Sequence, residues 1–405
     1  MGLLILCQFA FLYNVSFLVA PALSTGRITL LVLLALYHAA WPGAWRRIFG
    51  SSQVLIACLV LLTAYALAQY ALESRGDATQ LSRLINFTIY VVIGTPLFAL
   101  ASGNDLRRFL TSFAAAAGIQ ALFIAVSFVS PAYRAGLASL LVQGGNIPLT
   151  YGLQVPGFSN SAGALLSMTQ ALGAFAALLA ARLSPSQQER RTFILLAVEC
   201  ALSTIVVGRT GLQLSVIIFT AFIVIGGPAV LGRSLAIAGA LALLVALSAD
   251  WLVDQAVAWN PSAAATLEWA FEFFVTGARG TFFRDFAGQG VPPLGIESLV
   301  GTGRVVAMDG MSNASGSDSG YIQTYYALGF PAALIFYGAF YAYLLSAFAR
   351  VRTERVALAV LAVAMIVLEV KEPFIFKYAL PFFLLVLLAL AGRDAGSNPL
   401  TAPGR

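Results

Sequence analysis

Residues 52–72 read SQVLIACLVLLTAYALAQYAL, with no charged side chain in the run. Wound as an α-helix, at ~1.5 Å per residue, such a run is about 30 Å long, the thickness of bilayer hydrocarbon. In lipid the backbone N–H and C=O groups must pair within the segment, and a helix does this locally. Apolar runs of the same kind recur at 2–20, 27–41, 84–101, 109–129, 161–181, 192–207, 211–231, 234–249, 318–349, 356–370 and 374–391. The fold class expected is an all-α polytopic membrane protein of about 12 transmembrane helices forming one integral membrane domain over 1–405. The run 318–349 is too long for one straight crossing and is expected to start outside the membrane or to tilt.

Composition agrees. The 405 residues are 60% hydrophobic and 10% charged, where a soluble domain carries roughly 25% charged residues. The net charge of +6 does not indicate nucleic acid, because the basic residues fall in short turns between apolar runs. Cys7, Cys58 and Cys200 lie far apart inside predicted helices, without disulfide or metal spacing. The first run begins at Met1 without a basic leader region, so it is expected to be a retained helix.

Charge sets the expected topology. Alternate turns collect Arg46, Arg47, Arg107, Arg108, Arg182, Arg190, Arg191, Arg233, Arg350, Arg352, Arg355, Arg393 and Arg405, against Asp105, Glu189, Glu354 and Asp394. By the positive-inside rule that side is cytoplasmic and both termini are inside. Two long hydrophilic segments then fall outside, a third outward loop at 130–160 and a fifth at 250–317. With only short inward turns to bind a nucleotide, any chemistry must use a substrate activated before it crosses.

The fifth loop carries a helix signal, with Asn260 to cap, Pro261 to open, and SAAATLEWAFEFFVT (262–276) running to Gly277. Its aromatics suit headgroup depth. GARGTFFRDFAGQG (277–290) follows, with Arg279, Arg284 and Asp285, then GTGRVVAMDG (301–310) with Arg304. The latter lacks the Gly-Lys-Ser/Thr ending of a nucleotide loop. Arg134/Gly145 and Arg279/Gly290 share an Arg-x10-Gly spacing. The spacing is cheap: Gly is 36 of 405 residues, and Arg83/Gly94 and Arg284/Gly295 match as well. Its weight comes from location. A guanidinium binds phosphate oxygens two at a time and stays charged at physiological pH, so outward arginines at membrane level suit a lipid-linked diphosphate.

Within the spans, Arg209 stands out in STIVVGRTGLQLSV (203–216), between two apolar runs with almost no loop. An arginine near membrane depth is costly and marks function by default. Gly208 and Gly211 beside it allow a ligand close to the backbone. Glu199 lies in the run before it. Glu369, Lys371, Glu372 and Lys377 cluster at the last outward turn, either neutralising one another or lining a site. His38, the sole histidine, is expected near the inner end of the second span in a structural role.

Two segments together resemble the bacterial O-antigen polymerase and ligase superfamily. One is GRTGLQLSVIIF (208–219), similar to that family's Ser-Arg-x-Gly turn between two spans. The other is GTGRVVAMDGMSNASGSDSGYIQTYYALGFPAALIF (301–336), where a large outer loop closes and leads through a Leu-Gly-like element into a span. The resemblance implies a GT-C-type, metal-independent membrane glycosyltransferase without a cofactor. It would act at the periplasmic face on undecaprenyl-diphosphate-linked oligosaccharides, within a lipid bilayer and with a chain-length regulator (a polysaccharide co-polymerase) as protein partner. Long third and fifth outer loops are a mark of Wzy-type polymerases. The family's diphosphate-binding role falls on Arg209, Arg279 and Arg134. Ligases carry a histidine before the span that follows the large loop; here that place holds Asp318, which favours a polymerase.

The expected catalytic residues are therefore Asp318 as base, with Arg209 and Arg279 on the diphosphate. Arg134, Arg284, Arg304, Tyr321 and Glu372 are expected to contact substrate, and Asp309, Glu297 and Glu372 are alternative bases. Two rivals stay open: a ligase that moves finished polymer to a lipid or protein acceptor, and a 12-helix transporter or flippase. Against the transporter stand the short turn between the sixth and seventh spans and the lack of a clear internal repeat.

Overall fold

The computed structural model describes residues 1–40, 52–72, 77–142, 155–160, 163–226, 295–307, 312–351 and 353–392. In chain order the elements are α1 (Gly2–Tyr13), β1 (Ser16–Phe17), β2 (Ala20–Ser24), α2 (Thr25–Ala40), α3 (Gln53–Leu72) and α4 (Thr79–Asn86). A π-helical segment (Phe87–Ile93) joins α4 to α5 (Gly94–Ala101), and α6 (Leu106–Val129), α7 (Pro131–Leu140), α8 (Ala164–Arg182), α9 (Gln187–Val207) and α10 (Arg209–Ile225) follow. The last group is α11 (Ile296–Val300), α12 (Gly320–Leu328), α13 (Phe330–Ala349), α14 (Arg355–Lys371) and α15 (Ala379–Ala391).

The protein is mostly helical. Among the described residues five helices are long and apolar enough to cross a membrane: Gln53–Leu72, Thr79–Ala101, Leu106–Val129, Ala164–Arg182 and Phe330–Ala349. Shorter apolar helices include Gly2–Tyr13, Arg209–Ile225 and Ala379–Ala391. Large apolar side chains such as Leu61, Leu67, Leu195, Leu334 and Leu345 are exposed, as expected where the solvent is hydrocarbon.

The chain divides into two compact units, one of Met1–Leu31 and Arg107–Gly280, the other of Val32–Leu106 and Thr281–Arg405. In the first unit α8 is the most enclosed span and packs on α9 and α10. Small residues bring the axes close: a Cβ added at Gly173 would lie 2.3 Å from the Ala117 Cβ, the packing that membrane helices use where apolarity alone gives no attraction. Arg107 at the start of α6 pairs with Glu189 at the start of α9 at 2.6 Å, both half-exposed. Glu189 also lies in the first turn behind the Ser186 cap, near the positive helix end.

One sequence expectation is corrected here. The run 2–20 is not a single helix: α1 stops at Tyr13, and Asn14 turns left-handed at φ 42°. Residues 16–24 form an antiparallel hairpin, pairing Ser16 with Ser24 and Phe17 with Ala20. Thr25 explains the turn: its Oγ1 donates to the Ala10 carbonyl at 2.7 Å and accepts from the Val15 N–H at 2.8 Å. Asn14 Oδ1 accepts from the Gly26 N–H at 3.1 Å, and Pro21 has no N–H with which to continue a helix. The hairpin meets the segment after α7, where Leu18 N–H donates to Leu140 at 3.0 Å and Val142 N–H to Ser16 at 2.9 Å.

In the second unit α15 is buried along its length and packs on α5, α13, α14 and the π-helical segment. Phe87, Phe336, Phe340 and Phe376 form its aromatic core, with Phe336 and Phe376 stacked 4.8 Å apart and Phe87 edge-on to Phe336 and Phe340 at 5.4 Å. The long run 318–349 breaks at Gly329 into α12 and α13. Gly329 has φ +86°, and a Cβ there would come within 2.3 Å of the Leu299 carbonyl oxygen. The close approach and the left-handed backbone both demand glycine.

Candidate functional site

In the first unit the structure builds a cationic corner around Arg209. α9 ends at Val207, Gly208 is extended, and Arg209 opens α10. α8 starts beside it. A Cβ at Gly208 would lie 3.1 Å from the Gly163 carbonyl and 2.8 Å from Ser167 Oγ. The Gly211 N–H donates to Ser167 Oγ at 3.1 Å, and a Cβ at Gly211 would sit 2.2 Å from the Ser167 backbone. Two helix N-termini thus abut at the arginine, each with first-turn N–H groups and the positive end of a helix dipole. The loop 155–160 folds back over this region: Val155 N–H donates to Val206 at 3.1 Å, and Gln120 Nε2 donates to the Pro156 carbonyl at 3.1 Å. Oriented N–H groups, two dipoles and a guanidinium are what an anion needs.

The second unit holds a polar cluster at one end of its bundle. Asp318 is exposed, and its Oδ1 accepts from Asn313 Nδ2 at 2.6 Å. Gln323 Nε2 donates to the Ser317 carbonyl at 3.2 Å and the Asp318 carbonyl at 3.1 Å. Its Oε1 accepts from Arg83 Nη2 at 2.9 Å. Arg83 lies over the Phe376 ring, 5.9 Å from its centroid. Below it Glu369 is fully buried and accepts from Tyr337 Oη and the Ile375 N–H, each at 2.7 Å. Tyr321 Oη shares a hydrogen bond with Tyr341 and donates to the Ile366 carbonyl at 3.3 Å.

Asp77, before α4, ties the loop preceding α12 to this end. Its Oδ2 accepts from the Val305 and Val306 N–H groups at 2.7 and 2.8 Å, and its Oδ1 from Thr79 N–H at 2.8 Å. Burial raises the carboxyl, but hydrogen bonds from Thr79, Val306 and Val305 outweigh it and hold the group below its usual range.

Arg134 is buried in the first turn of α7, behind the Ser130 cap, and burial works against its charged form. Arg304 is half-buried next to Thr302 in the loop before α12. Glu372 pairs with Lys377. Glu297 lies in the first turn of α11. Arg279, Arg284, Asp309 and the expected helix at 262–276 lie outside the described residues. Arg209 and Asp318 belong to different units.

Sequence reasoning missed Arg83 and Gln323. Arg83 entered only as a chance match to a spacing, though its place at the head of a span was a usable signal. Gln323 is a neutral amide among aromatics, and nothing in its neighbours marks it. A scan against protein-family models and a search of curated proteins gave no match to the chain.

Proposed function

We propose that this protein is a membrane polymerase that joins undecaprenyl-diphosphate-linked oligosaccharide repeats into O-antigen or a similar surface polysaccharide at the periplasmic face. The observation that carries the reading is the corner at Arg209. An arginine opening α10 beside the N-terminus of α8, at a break between two apolar helices, suits a diphosphate held at membrane level. The resemblance of residues 208–219 and 301–336 to the polymerase and ligase superfamily supports the same substrate. In this reading the chain has about 12 spans in a GT-C-type arrangement, with both termini inside and the loops at 130–160 and 250–317 outside. Contacts within each unit fit that alternation: turns expected on a shared side meet, as 16–24 meets 140–142 and Asp77 meets 305–306.

The donor is the growing chain on its lipid diphosphate, and the acceptor is a hydroxyl of the next lipid-linked repeat. The acceptor oxygen attacks the anomeric carbon with inversion, the bond to the diphosphate oxygen breaks, and the diphosphate leaves. It leaves as a stable anion, so it needs charge stabilisation more than a proton. Arg209, with Arg279 and Arg134, supplies it, each well-placed donor being worth ~10²–10³ in rate. Asp318 takes the hydroxyl proton, a contribution of ~10²–10⁴. Arg284, Arg304, Tyr321 and Glu372 would contact the sugars or the second phosphate.

Arg209→Ala and Arg209→Lys, made at normal membrane abundance, test this. Expected is loss of long polymer with Ala and partial return with Lys, read on a polysaccharide gel. Wild-type polymer from Arg209→Ala would remove the residue from the mechanism. The deletion strain separates the second reading, a ligase suggested by the shared superfamily: loss of a polymerase leaves single repeats on the acceptor, and loss of a ligase leaves none. A full ladder in the deletion strain overturns both.

A further inference from the structure

We infer that Arg83 and Gln323 are positioning residues that fix the backbone carrying Asp318; the inference rests on the role proposed above for that carboxylate. Gln323 is 3% exposed and uses both ends of its amide: Oε1 toward Arg83, Nε2 toward the Ser317 and Asp318 carbonyls. Its own N–H donates to the Ser319 carbonyl at 2.9 Å. Two successive residues of the loop, Ser317 and Asp318, are thereby tied to one side chain of α12, and Ser319 to its backbone.

Arg83 decides which way that amide points. A guanidinium has donors only, so the amide must turn its oxygen to Arg83 and its nitrogen to the two carbonyls. Arg83 is held in turn by the Phe376 ring, which stacks on Phe336. Asn313 fixes the Asp318 carboxylate from the other side. An exposed carboxylate on a loop would otherwise sample many positions. A base must stand within hydrogen-bond reach of the proton it takes, and a displacement of ~1 Å costs about 100-fold. The cluster converts a loop carboxylate into a placed one.

Gln323→Glu is the informative variant. The carboxylate still accepts from Arg83, so the buried arginine stays paired, but it has no N–H for the two carbonyls; turnover is therefore measured per inserted protein. Membranes carrying each variant would be supplied with lipid-diphosphate-linked repeats extracted from the source cells. Expected for Gln323→Glu is a kcat lowered about 10- to 100-fold with KM little changed. Arg83→Lys should retain more activity than Arg83→Met. Combined with Asp318→Asn, Gln323→Glu should add little further loss, because both act through one group. Wild-type kcat in Gln323→Glu, or a full additional loss on top of Asp318→Asn, overturns the positioning role. Wild-type turnover in Asp318→Asn alone overturns the base assignment and this inference with it. An inactive Asp318→Asn beside a fully active Gln323→Glu overturns the positioning role alone.

Discussion

Glu369 is 0% exposed, and each of its carboxylate oxygens has a donor, Tyr337 Oη on one and the Ile375 N–H on the other. Gly320 lies so close that a Cβ there would stand 2.2 Å from Glu369 Oε1. Glu369→Ala leaves the Ile375 N–H without its acceptor in a dry interior and leaves Tyr337 Oη with Thr324 Oγ1, 3.0 Å away, as its remaining partner. The expected cost is roughly 2–5 kcal/mol, measured as a lowered melting temperature in detergent and reduced membrane abundance; Glu369→Gln, which keeps the shape and one acceptor, should lose less. Asp77 gives a pH dependence. Its folded carboxyl titrates below the ordinary value of 3.8. Its contribution is therefore complete above that value and is lost as pH falls through the folded pKa. The stability gap between wild type and Asp77→Asn should be widest near neutral pH and close as acidification carries the solution through the lowered folded pKa. At this scale the sequence was legible where a charge interrupts an apolar run, as at Arg209, because lipid makes such a charge conspicuous. It was silent at Gln323, whose importance comes from partners 240 and about five residues away.

Among the elements, the boundary between α12 and α13 is the sharpest. Gly329 has a left-handed backbone with the Leu299 carbonyl 2.3 Å from where a Cβ would be. Gly329→Ala should destabilise by about 1–3 kcal/mol or more, seen as earlier thermal unfolding, whereas Gly338→Ala, where a Cβ meets nothing within 4 Å, should be close to neutral. The split was half-legible: the run's length ruled out one straight crossing, but the break needed the packing of Leu299–Gly301 to be located. The hairpin at 16–24 was not legible, since its residues are as apolar as the helix before them. What ends α1 there is the side-chain chemistry of Asn14 and Thr25, visible only once the two meet.

Among the described residues the five long apolar helices followed from composition, because hydrocarbon demands the same pattern in every span, while the run expected at 234–249 lies outside those residues. Sidedness can be read with single cysteines placed after Cys7, Cys58 and Cys200 are replaced. Labelling by an impermeant maleimide at Ser312 or Ala22 is expected from outside intact cells, and at Gln188 only after the membrane is opened. Ser312 labelled only after opening would invert the proposed topology. A charge on the lipid-facing surface gives a further test: Leu61→Arg, 71% exposed in the wild type, should cost about 2.5–3.5 kcal/mol of insertion at mid-membrane and lower the yield of inserted protein.

The interleaved order of the two units bears on biosynthesis. Residues 32–106 are made long before 281–405, the segment that completes their unit, so α3 to α5 must wait in the bilayer while the whole of 107–280 is synthesised. Glu369 then arrives late. By the time α14 leaves the ribosome, Gly320 and Tyr337 have already been translated, and only Ile375 lies ahead. The carboxylate's lateral partner is thus laid down before it, and the nascent chain need not park a bare acid in lipid.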